Sequence, residues 1–342
     1  MTYRVGLVGT GPRERTKERG GGFAIGRIHA DAWQALGNAK LAAACDIRPE
    51  NLTAFADDYG VEGRYTDYGR MLAEARLDIV DICTWPPLHA DMVVAAAEAG
   101  VKAIYCEKPM TISLGDARRM VDACDRHGVK LVVSHQRRLE NRFVKAKEWI
   151  TSGRIGDVLE VHGRIGGADA DLLSWGTHWI DMFQFLLGDP VAETVFAAID
   201  TSQATRRYGH PVEDRALFVV QFRGGARGYL EGGPDLGGVG MRVVGTRGLI
   251  QLGDKLSGWL DGGTKLEVVE AGANDFVDSF PLAMADLIDS VEQNRDPVLA
   301  GRIAMRTTEI IMAAYESSWR RTQVRLPLNI DTLPLLQRPE FQ

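Results

Sequence analysis

"VDICTWPPLHADMVVAAAEAGVKAIYCEKPM", residues 80–110, alternates between two kinds of pattern. An apolar run is followed by a turn, then by a segment with helical spacing, and then by a second apolar run. Continuous apolar runs are typical of strands that are covered on both faces, and the strand–helix–strand order is typical of a parallel sheet. Pro109 stops the second strand and leaves Lys108 at its carboxyl end, where open α/β sheets bind their ligands. The stretch therefore predicts a parallel sheet with a candidate binding site at Lys108.

The same alternation extends over residues 1–135. It begins with "YRVGLVG" and ends with "VKLVVS", and helical segments such as "SLGDARRMVDACDRHG" separate the apolar runs. Alternation of this kind predicts a doubly wound sheet with helices between its strands. We therefore expect residues 1–135 to form an α/β N-terminal domain with a doubly wound parallel sheet.

The pattern changes after about residue 150. One helical segment, "LSWGTHWIDMFQFLLG", follows Gly167, then come short strand-like runs between Gly-rich turns, and the last segments are helical again. Short runs without helices between them favour antiparallel pairing. We expect residues 136–342 to form an α+β C-terminal domain with a large, mostly antiparallel open sheet. Its last helices are expected to pack back towards the first domain.

Composition excludes several classes of function. The 342 residues suit two domains, and a net charge of −6 without a basic stripe argues against a nucleic-acid partner. No apolar run approaches the roughly 18–20 residues of a membrane span, and the N-terminus enters a strand-like run instead of a signal peptide. The four cysteines lack metal-type spacing. They predict buried reduced thiols, no metal site and a cytoplasmic protein.

The first strand-to-helix turn resembles a phosphate-binding loop. Gly9 and Gly11 in "GLVGTG" allow the tight turn and the close backbone approach that a pyrophosphate needs. The expected third glycine is displaced, so we interpret residues 12–23 as an insertion, after which Ala24, Ile25 and Gly26 resume the motif. The insertion carries the cations Arg13, Arg15, Lys17 and Arg19. It forms either a solvated loop or a lid over the pyrophosphate.

An acidic residue follows the second strand, as a dinucleotide site requires. Asp46 lies about 20 residues beyond the loop once the insertion is discounted, where a carboxylate accepts hydrogen bonds from the adenosine ribose and repels a 2′-phosphate. Arg48 complicates the interpretation, because a guanidinium there could bind that phosphate. The sequence predicts NAD as the cofactor, with NADP as the less favoured choice.

The order of these motifs resembles a known family. "VGTG…IGRIHADAW", "CD", "TWPPLH", "CEKPM" and "GTHWIDMFQFLLGD" are similar to the Gfo/Idh/MocA oxidoreductases over nearly the whole chain. The resemblance implies an N-terminal Rossmann domain, a C-terminal open-sheet domain, a nicotinamide cofactor and a sugar-like or cyclitol substrate. It also implies a homodimer or homotetramer that forms through the open sheet face.

The resemblance assigns roles to single residues. Lys108 matches the catalytic lysine of the family, with Glu107 and Pro109 completing its motif, and His178 matches the histidine that contacts the reacting hydroxyl. From the residues alone, Lys108 could equally be an ordinary lysine paired with Glu107, and His178 a satisfied core residue. Residues expected at the cofactor, besides the loop and Asp46, are Thr84, Trp85, Pro86, His89, Glu107, Lys108 and Gln136.

Further residues are expected at the substrate. Asp181 lies one helical turn after His178, and Trp175 could stack on a sugar ring. Ser174 stands where inositol dehydrogenase-like members carry an aspartate, which weakens an inositol-type assignment more than it weakens the hydride chemistry. The full set of expected substrate residues is Lys108, Arg138, Arg164, Ser174, Trp175, His178 and Asp181.

The leading functional hypothesis is an NAD-dependent dehydrogenase of a sugar, sugar derivative or cyclitol. An amine serves as general base only if burial or a neighbouring positive charge brings its pKa towards neutrality, and a strand end beneath a second domain suits that role for Lys108. Lys108 and His178 are expected to contact the same hydroxyl. Two alternatives remain: an NAD-dependent glycoside hydrolase or lyase that acts through transient oxidation, and a non-catalytic dinucleotide-binding sensor.

Overall fold

A computed structural model describes residues 2–13, 24–253, 255–260, 263–265, 269–270 and 275–342. The chain divides into two compact units. Unit 1 consists of Met1–Thr111, Ala117–Gln136 and Val277–Gly301, and unit 2 consists of Ile112–Asp116, Arg137–Phe276 and Arg302–Gln342. Within the described ranges, no helix combines the length and the hydropathy that a membrane span requires.

Unit 1 is built on a parallel sheet, which has six strands in the order β3-β2-β1-β4-β5-β6 among the described residues. The strands are β1 (Tyr3–Val8), β2 (Ala39–Cys45), β3 (Gly63–Tyr65), β4 (Ile79–Ile82), β5 (Ala103–Cys106) and β6 (Lys130–Val133). The helices between them are α1 (Ile25–Gln34), α2 (Pro49–Tyr59), α3 (Tyr68–Glu74), α4 (Pro86–Glu98) and α5 (Leu114–His127). This order is that of a doubly wound nucleotide-binding sheet, so the predicted Rossmann architecture is confirmed.

Burial explains why the central strands read as continuous apolar runs. Every residue of β4 and β5 is buried, because both faces of the sheet are covered. Helix boundaries follow local signals: the Ser113 hydroxyl accepts a hydrogen bond of 3.2 Å from the Asp116 N–H at the start of α5. The three-residue strand β3 was not predicted, because it is too short for an apolar pattern.

Unit 2 contains a second sheet, whose nine described strands lie in the order β16-β15-β14-β13-β7-β12-β11-β8-β17. The strands of unit 2 are β7 (Val158–Gly166), β8 (Ala192–Asp200), β9 (Arg206–Arg207), β10 (His210–Pro211), β11 (Arg215–Phe222), β12 (Arg227–Gly233), β13 (Gly240–Gly245), β14 (Gly248–Leu252), β15 (Lys255–Leu260), β16 (Val269–Glu270) and β17 (Val324–Arg325). Only the β7–β12 pair is parallel among the described strand pairs of this sheet, so the predicted mostly antiparallel sheet is confirmed.

The remaining helices are α6 (Asn141–Thr151), α7 (Thr177–Leu187), α8 (Asp275–Glu292) and α9 (Gly301–Arg320). Helix α7 packs on β7 and β12 so closely that two strand positions require glycine. A Cβ on Gly163 would lie 2.5 Å from the Trp179 ring, and one on Gly228 would lie 2.6 Å from the Phe183 ring. This packing fixes the helix that carries His178 against one face of the sheet.

Candidate active site

The first turn of unit 1 has the shape of an anion cradle. Gly9 has a φ of +90°, and a Cβ there would lie 2.7 Å from the Cys83 carbonyl oxygen, while a Cβ on Gly26 would lie 2.6 Å from the Gly9 carbonyl oxygen. These contacts press the start of α1 against the loop. The residue before α1 is Ala24, which supplies no capping side chain, so the first N–H groups of the helix suit a phosphate. The loop therefore fits the pyrophosphate of a dinucleotide.

Part of the predicted insertion is described. The Arg13 guanidinium pairs with the Asp58 carboxylate of α2, and Arg27 pairs with the same carboxylate at 2.7 Å. The other insertion cations, Arg15, Lys17 and Arg19, lie outside the described residues, and so does the rest of the proposed lid.

The Asp46 carboxylate forms hydrogen bonds within unit 1, in addition to its predicted contact with the ribose. It accepts hydrogen bonds from the Thr10 hydroxyl at 2.9 Å, the Gly11 N–H at 3.1 Å and the Arg48 N–H at 2.9 Å. The residue is buried, whereas Arg48 is exposed. Asp46 thus braces the loop, and two carboxylate oxygens still offer one further acceptor position for a ligand.

Lys108 stands at the carboxyl end of β5 and is half-buried. On one side of it the Glu107 carboxylate accepts the Lys108 backbone N–H at 3.1 Å. On the other side, His89 Nδ1 lies 3.1 Å from the Pro109 carbonyl oxygen and its Nε2 lies 3.1 Å from that of Thr84. His89 is fully buried, which favours a structural role in this turn over the predicted contact with the cofactor.

The remaining predicted cofactor residues lie near strand ends of unit 1. Thr84 and Trp85 follow β4, Pro86 begins α4, and the Trp85 side chain is 61% exposed. Ile47, which the sequence analysis did not select, is 85% exposed after β2. Gln136 follows β6 and is buried, and its Oε1 accepts no hydrogen bond from the part of the chain that the structure describes. Such an acceptor suits an amide donor of a ligand.

In unit 2, a short π-helical turn over Leu172–Gly176 leads into α7. The Asp171 side chain caps it by accepting the Ser174 N–H at 2.7 Å, and the Oε1 atom of the Glu213 carboxyl group accepts the Leu172 N–H at 2.6 Å. Burial, with the Asp171 charge as the second cause, raises the pKa of Glu213 to about 8. Two acidic side chains therefore hold the segment that presents Ser174 and His178.

His178 is buried on the first turn of α7 beside aromatic side chains. Its ring lies 6.2 Å from the Trp175 ring, centroid to centroid. The Arg137 guanidinium lies 5.3 Å from the Trp175 ring and 4.9 Å from the Trp179 ring, and donates a 3.1 Å hydrogen bond to Glu140. A positive charge thus lies beside the Trp175 and Trp179 rings at the start of α7.

Arg138 and Asp181 form a buried ion pair. The guanidinium donates hydrogen bonds of 2.8 Å to both Asp181 oxygens, and it also binds Asp189 at 2.8 Å and 3.0 Å. This pairing ties the segment after β6 to α7. It favours a structural role for both residues over the predicted substrate contact, because their polar atoms already have partners.

Arg164 lies on the open face of the unit 2 sheet. It is exposed and pairs with Glu231 on β12 at 3.0 Å, whereas its neighbours Gly163 and Ile165 lie on the face covered by α7. Side chains alternate along a strand, so Arg164 points away from the helix of His178. Its position speaks against the predicted substrate contact.

A small cavity lies beside Trp175 within unit 2. It measures about 160 Å³ and is lined by Ile165, Gly166, Ala168, Asp169, Trp175 and Val239. A larger depression of about 430 Å³ lies on α4 and α5 of unit 1 and is lined by Val94 and four charged residues, Arg119, Asp122, Asp125 and Arg126. We favour the smaller cavity as the candidate substrate site, because it is lined by Trp175, whose ring lies beside that of His178.

The chain matches one family over both units. Residues 20–135 match the family described as "Oxidoreductase family, NAD-binding Rossmann fold", GFO_IDH_MocA. Residues 147–326 match its companion, "Oxidoreductase family, C-terminal alpha/beta domain", which alone covers more than half of the chain. The chain belongs to the Gfo/Idh/MocA family of oxidoreductases. Membership confirms the predicted family and the NAD-binding Rossmann domain.

Several relatives carry functional names. The chain is 37% identical over 186 residues to a D-apiose dehydrogenase of Paraburkholderia graminis, a match that covers 50% of this chain but only 48% of that protein. It is 27% identical to an inositol 2-dehydrogenase of Azotobacter vinelandii, over 100% of this chain and 99% of that protein. A solved levoglucosan dehydrogenase with NADH and levoglucosan shares the fold, with a TM-score of 0.83 and 22% identity over 96% of this chain and 100% of that one.

Two kinds of residue were not predicted from the sequence. Glu213 acts on the turn before α7 from 41 residues away, so no local pattern marks it, whereas Asp171 had a local signal as an acidic residue at the N-cap of that turn. His29 had a signal: a histidine on the buried face of α1, one turn before the buried Trp33. A polar ring at such a position needs a partner.

Proposed function

We propose that this Gfo/Idh/MocA protein is an NAD-dependent dehydrogenase that acts on a CH–OH group of a sugar, sugar derivative or cyclitol. The observation that carries the proposal is Lys108 at the carboxyl end of β5, in the Glu-Lys-Pro motif of an NAD-binding Rossmann domain. Relatives named as apiose and inositol dehydrogenases support the substrate class. The alternatives of a glycoside hydrolase or lyase and of a sensor gain no support from these names.

Different residues of unit 1 would bind different parts of the cofactor. Gly9, Gly11 and the start of α1 would hold the pyrophosphate, and Asp46 the adenosine ribose. Gln136 would accept an N–H of the nicotinamide amide. The bound nicotinamide would supply a hydride acceptor or donor.

The chain itself must manage the hydroxyl proton. We assign Lys108 as the general acid and base, because its backbone is held on both sides and the residue is only half-buried. We assign His178 as the second group on that hydroxyl, and Trp175 as a surface for the sugar ring. Ser174 replaces the aspartate of inositol dehydrogenase-like members, so a sugar is favoured over an inositol.

Steady-state kinetics of Lys108→Ala, His178→Ala and the double variant test the roles. Lys108→Ala should lower kcat by about 10²–10⁴, as expected for loss of general acid–base catalysis, while NAD still binds. The double variant should lose less than the product of the two single effects, because both groups serve one proton transfer. Ser174→Ala should be milder than either. A near-normal kcat in Lys108→Ala would make the lysine structural.

A substrate screen tests the reaction. Aldoses, anhydrosugars, apiose and inositols would be offered with NAD while NADH absorbance is followed. Net NADH formation from a sugar or polyol supports the dehydrogenase. Cleavage of a glycoside without net NADH would support the hydrolase or lyase instead.

We further propose a cytoplasmic homodimer or homotetramer that assembles through the open face of the unit 2 sheet. Phe196 on β8 and Leu217 on β11 expose more than half of their surface on that face, in neighbouring strands. Exposed apolar side chains in a group are typical of an interface. Light scattering should show the wild type as an oligomer, and Phe196→Glu with Leu217→Glu as a smaller species.

A further inference from the structure

A histidine inside unit 1 lies between two carboxylates. His29 on α1 has no exposed surface. Its Nδ1 lies 3.0 Å from both oxygens of Asp81, and its Nε2 lies 3.1 Å from Oε1 of Glu107. Carboxylates are acceptors, so an imidazole that bonds to both must donate from both nitrogens. Only the protonated ring can do so.

The surroundings of His29 agree with a buried cation. The Asp81 carboxylate also accepts the Trp33 indole N–H at 2.7 Å, and the Tyr105 and Phe280 rings lie 5.1 Å from the imidazole ring, centroid to centroid. Burial alone would lower the pKa of His29, but the facing Asp81 carboxylate outweighs it and holds the pKa well above 6.5. Burial raises the pKa of the nearby Cys83 and Tyr105 side chains, which leaves them neutral.

The chain of contacts continues to Lys108. Glu107 binds His29 through Oε1 and accepts the Lys108 backbone N–H through Oε2. Burial alone would raise the pKa of Glu107, but the His29 hydrogen bond and charge, followed by the Lys108 charge, lower it. One buried carboxylate therefore links the histidine to the lysine.

We propose that His29 is a positioning residue for Lys108. It is a buried imidazolium that donates one N–H to Asp81 and the other to Glu107. It thereby holds in place the Glu107 carboxylate, which accepts the Lys108 backbone N–H. The inference rests on the proposed function of Lys108. His29 contacts neither the hydride nor the transferred proton. It acts through Glu107 and so fixes the position of the Lys108 amine.

A metal ion is the competing explanation. The ligand-type atoms of His29, Asp81 and Cys83 all lie within 4.8 Å of one another. A metal would need a bare Nδ1 and a thiolate. Burial raises the pKa of the Cys83 thiol, and the Nδ1 atom faces both Asp81 oxygens in the manner of a donor. The geometry therefore favours a proton over a metal.

Kinetics of His29→Gln, Glu107→Gln and their double variant test the positioning role. His29→Gln should lower kcat by about 10–10² while the NAD Kd stays within about threefold, because misplacement of a reacting group by an ångström costs on that order. The pH profile of kcat should also shift, since the charge beside Lys108 has changed. The double variant should lose no more than the worse single variant. Additive losses, or an unchanged kcat and pH profile in His29→Gln, would overturn the proposal.

Trp33→Phe is the matched control. It removes another buried hydrogen bond to Asp81 but leaves the His29–Glu107 contact in place. We expect lower thermal stability with kcat within about threefold of wild type. An equal loss of kcat in both variants would mean that His29 serves only the packing of α1.

Nitrogen NMR tests the inference without any turnover. In protein labelled with both ¹⁵N-histidine and ¹⁵N-lysine, both His29 nitrogens, assigned through His29→Gln, should keep imidazolium shifts from pH 6 to 9. The Nζ signal of Lys108 should move in His29→Gln and stay in place in Trp33→Phe. A bare ring nitrogen, one equivalent of bound metal, or an unmoved Lys108 signal would refute the proposal, even if the dehydrogenase assignment itself failed.

Discussion

Gly26→Ala is the sharpest test of the phosphate loop. The new Cβ would lie 2.6 Å from the Gly9 carbonyl oxygen and 3.3 Å from that of Thr10. Contacts below 3.0 Å essentially do not occur, so the helix start or the loop must move by at least 0.4 Å, from 2.6 to 3.0 Å. Both clashing atoms belong to the backbone and cannot rotate away.

Two effects oppose each other in this variant. Alanine is a better helix former than glycine by at most about 1 kcal/mol, and by less in a first turn. Overpacking costs roughly 1–3 kcal/mol, so the apoprotein should lose stability. The displacement separates the loop from the first N–H groups of α1, and we expect the Kd for NAD to rise at least about tenfold, or roughly 1.4 kcal/mol.

Calorimetric titration of NAD and NADH into wild type, Gly26→Ala and Gly37→Ala measures the effect. Gly37→Ala is the matched control, because a Cβ there meets nothing within 4 Å and its φ is not positive. We expect the control to bind NAD as the wild type does. If Gly26→Ala binds NAD within about twofold of the control, the close approach of helix and loop does not shape the cofactor site.

Three further predictions follow from single residues. With one substrate, kcat/KM should favour NAD over NADP by at least about tenfold, roughly 1.4 kcal/mol, because the buried Asp46 carboxylate at the loop repels a 2′-phosphate. A preference for NADP would make Arg48 the deciding residue. Burial holds the pKa of Glu213 in the folded state at about 8, well above the value near 4.5 in the unfolded chain, so the free energy of unfolding should fall as the pH rises between these values. Urea titrations should show that Glu213→Gln loses this slope and that the exposed Glu98→Gln keeps it; an equal slope in both would contradict the buried acid. Shortening residues 12–23 to a plain turn should leave the melting temperature of the apoprotein unchanged. A weaker affinity for NAD in this variant would support the lid, whereas an unchanged affinity would exclude it.

The sequence by itself determined the architecture of unit 1 and the place of its lysine. Continuous apolar runs give buried strands, and the helix between each pair makes them parallel. Parallel strands bring their carboxyl ends to one edge, so "GTG", Asp46 and the Glu-Lys-Pro turn had to follow strand ends. All of this depends on patterns within a few residues, which a sequence displays directly. Helix α6 was missed although Phe143, Ala146 and Trp149 recur at helical spacing.

Only the tertiary structure decided what the polar side chains do. Asp46 braces Thr10 across 36 residues, His29 meets Glu107 across 78, and Arg138 meets Asp181 across 43. Each pairing replaces water on a buried charge, so its partner is chosen by the folded packing and leaves no local signal. The sequence likewise did not show on which face of the sheet Arg164 lies. The face of a side chain is set by the register of its strand against the neighbouring strands, and the sequence of one strand does not contain that register.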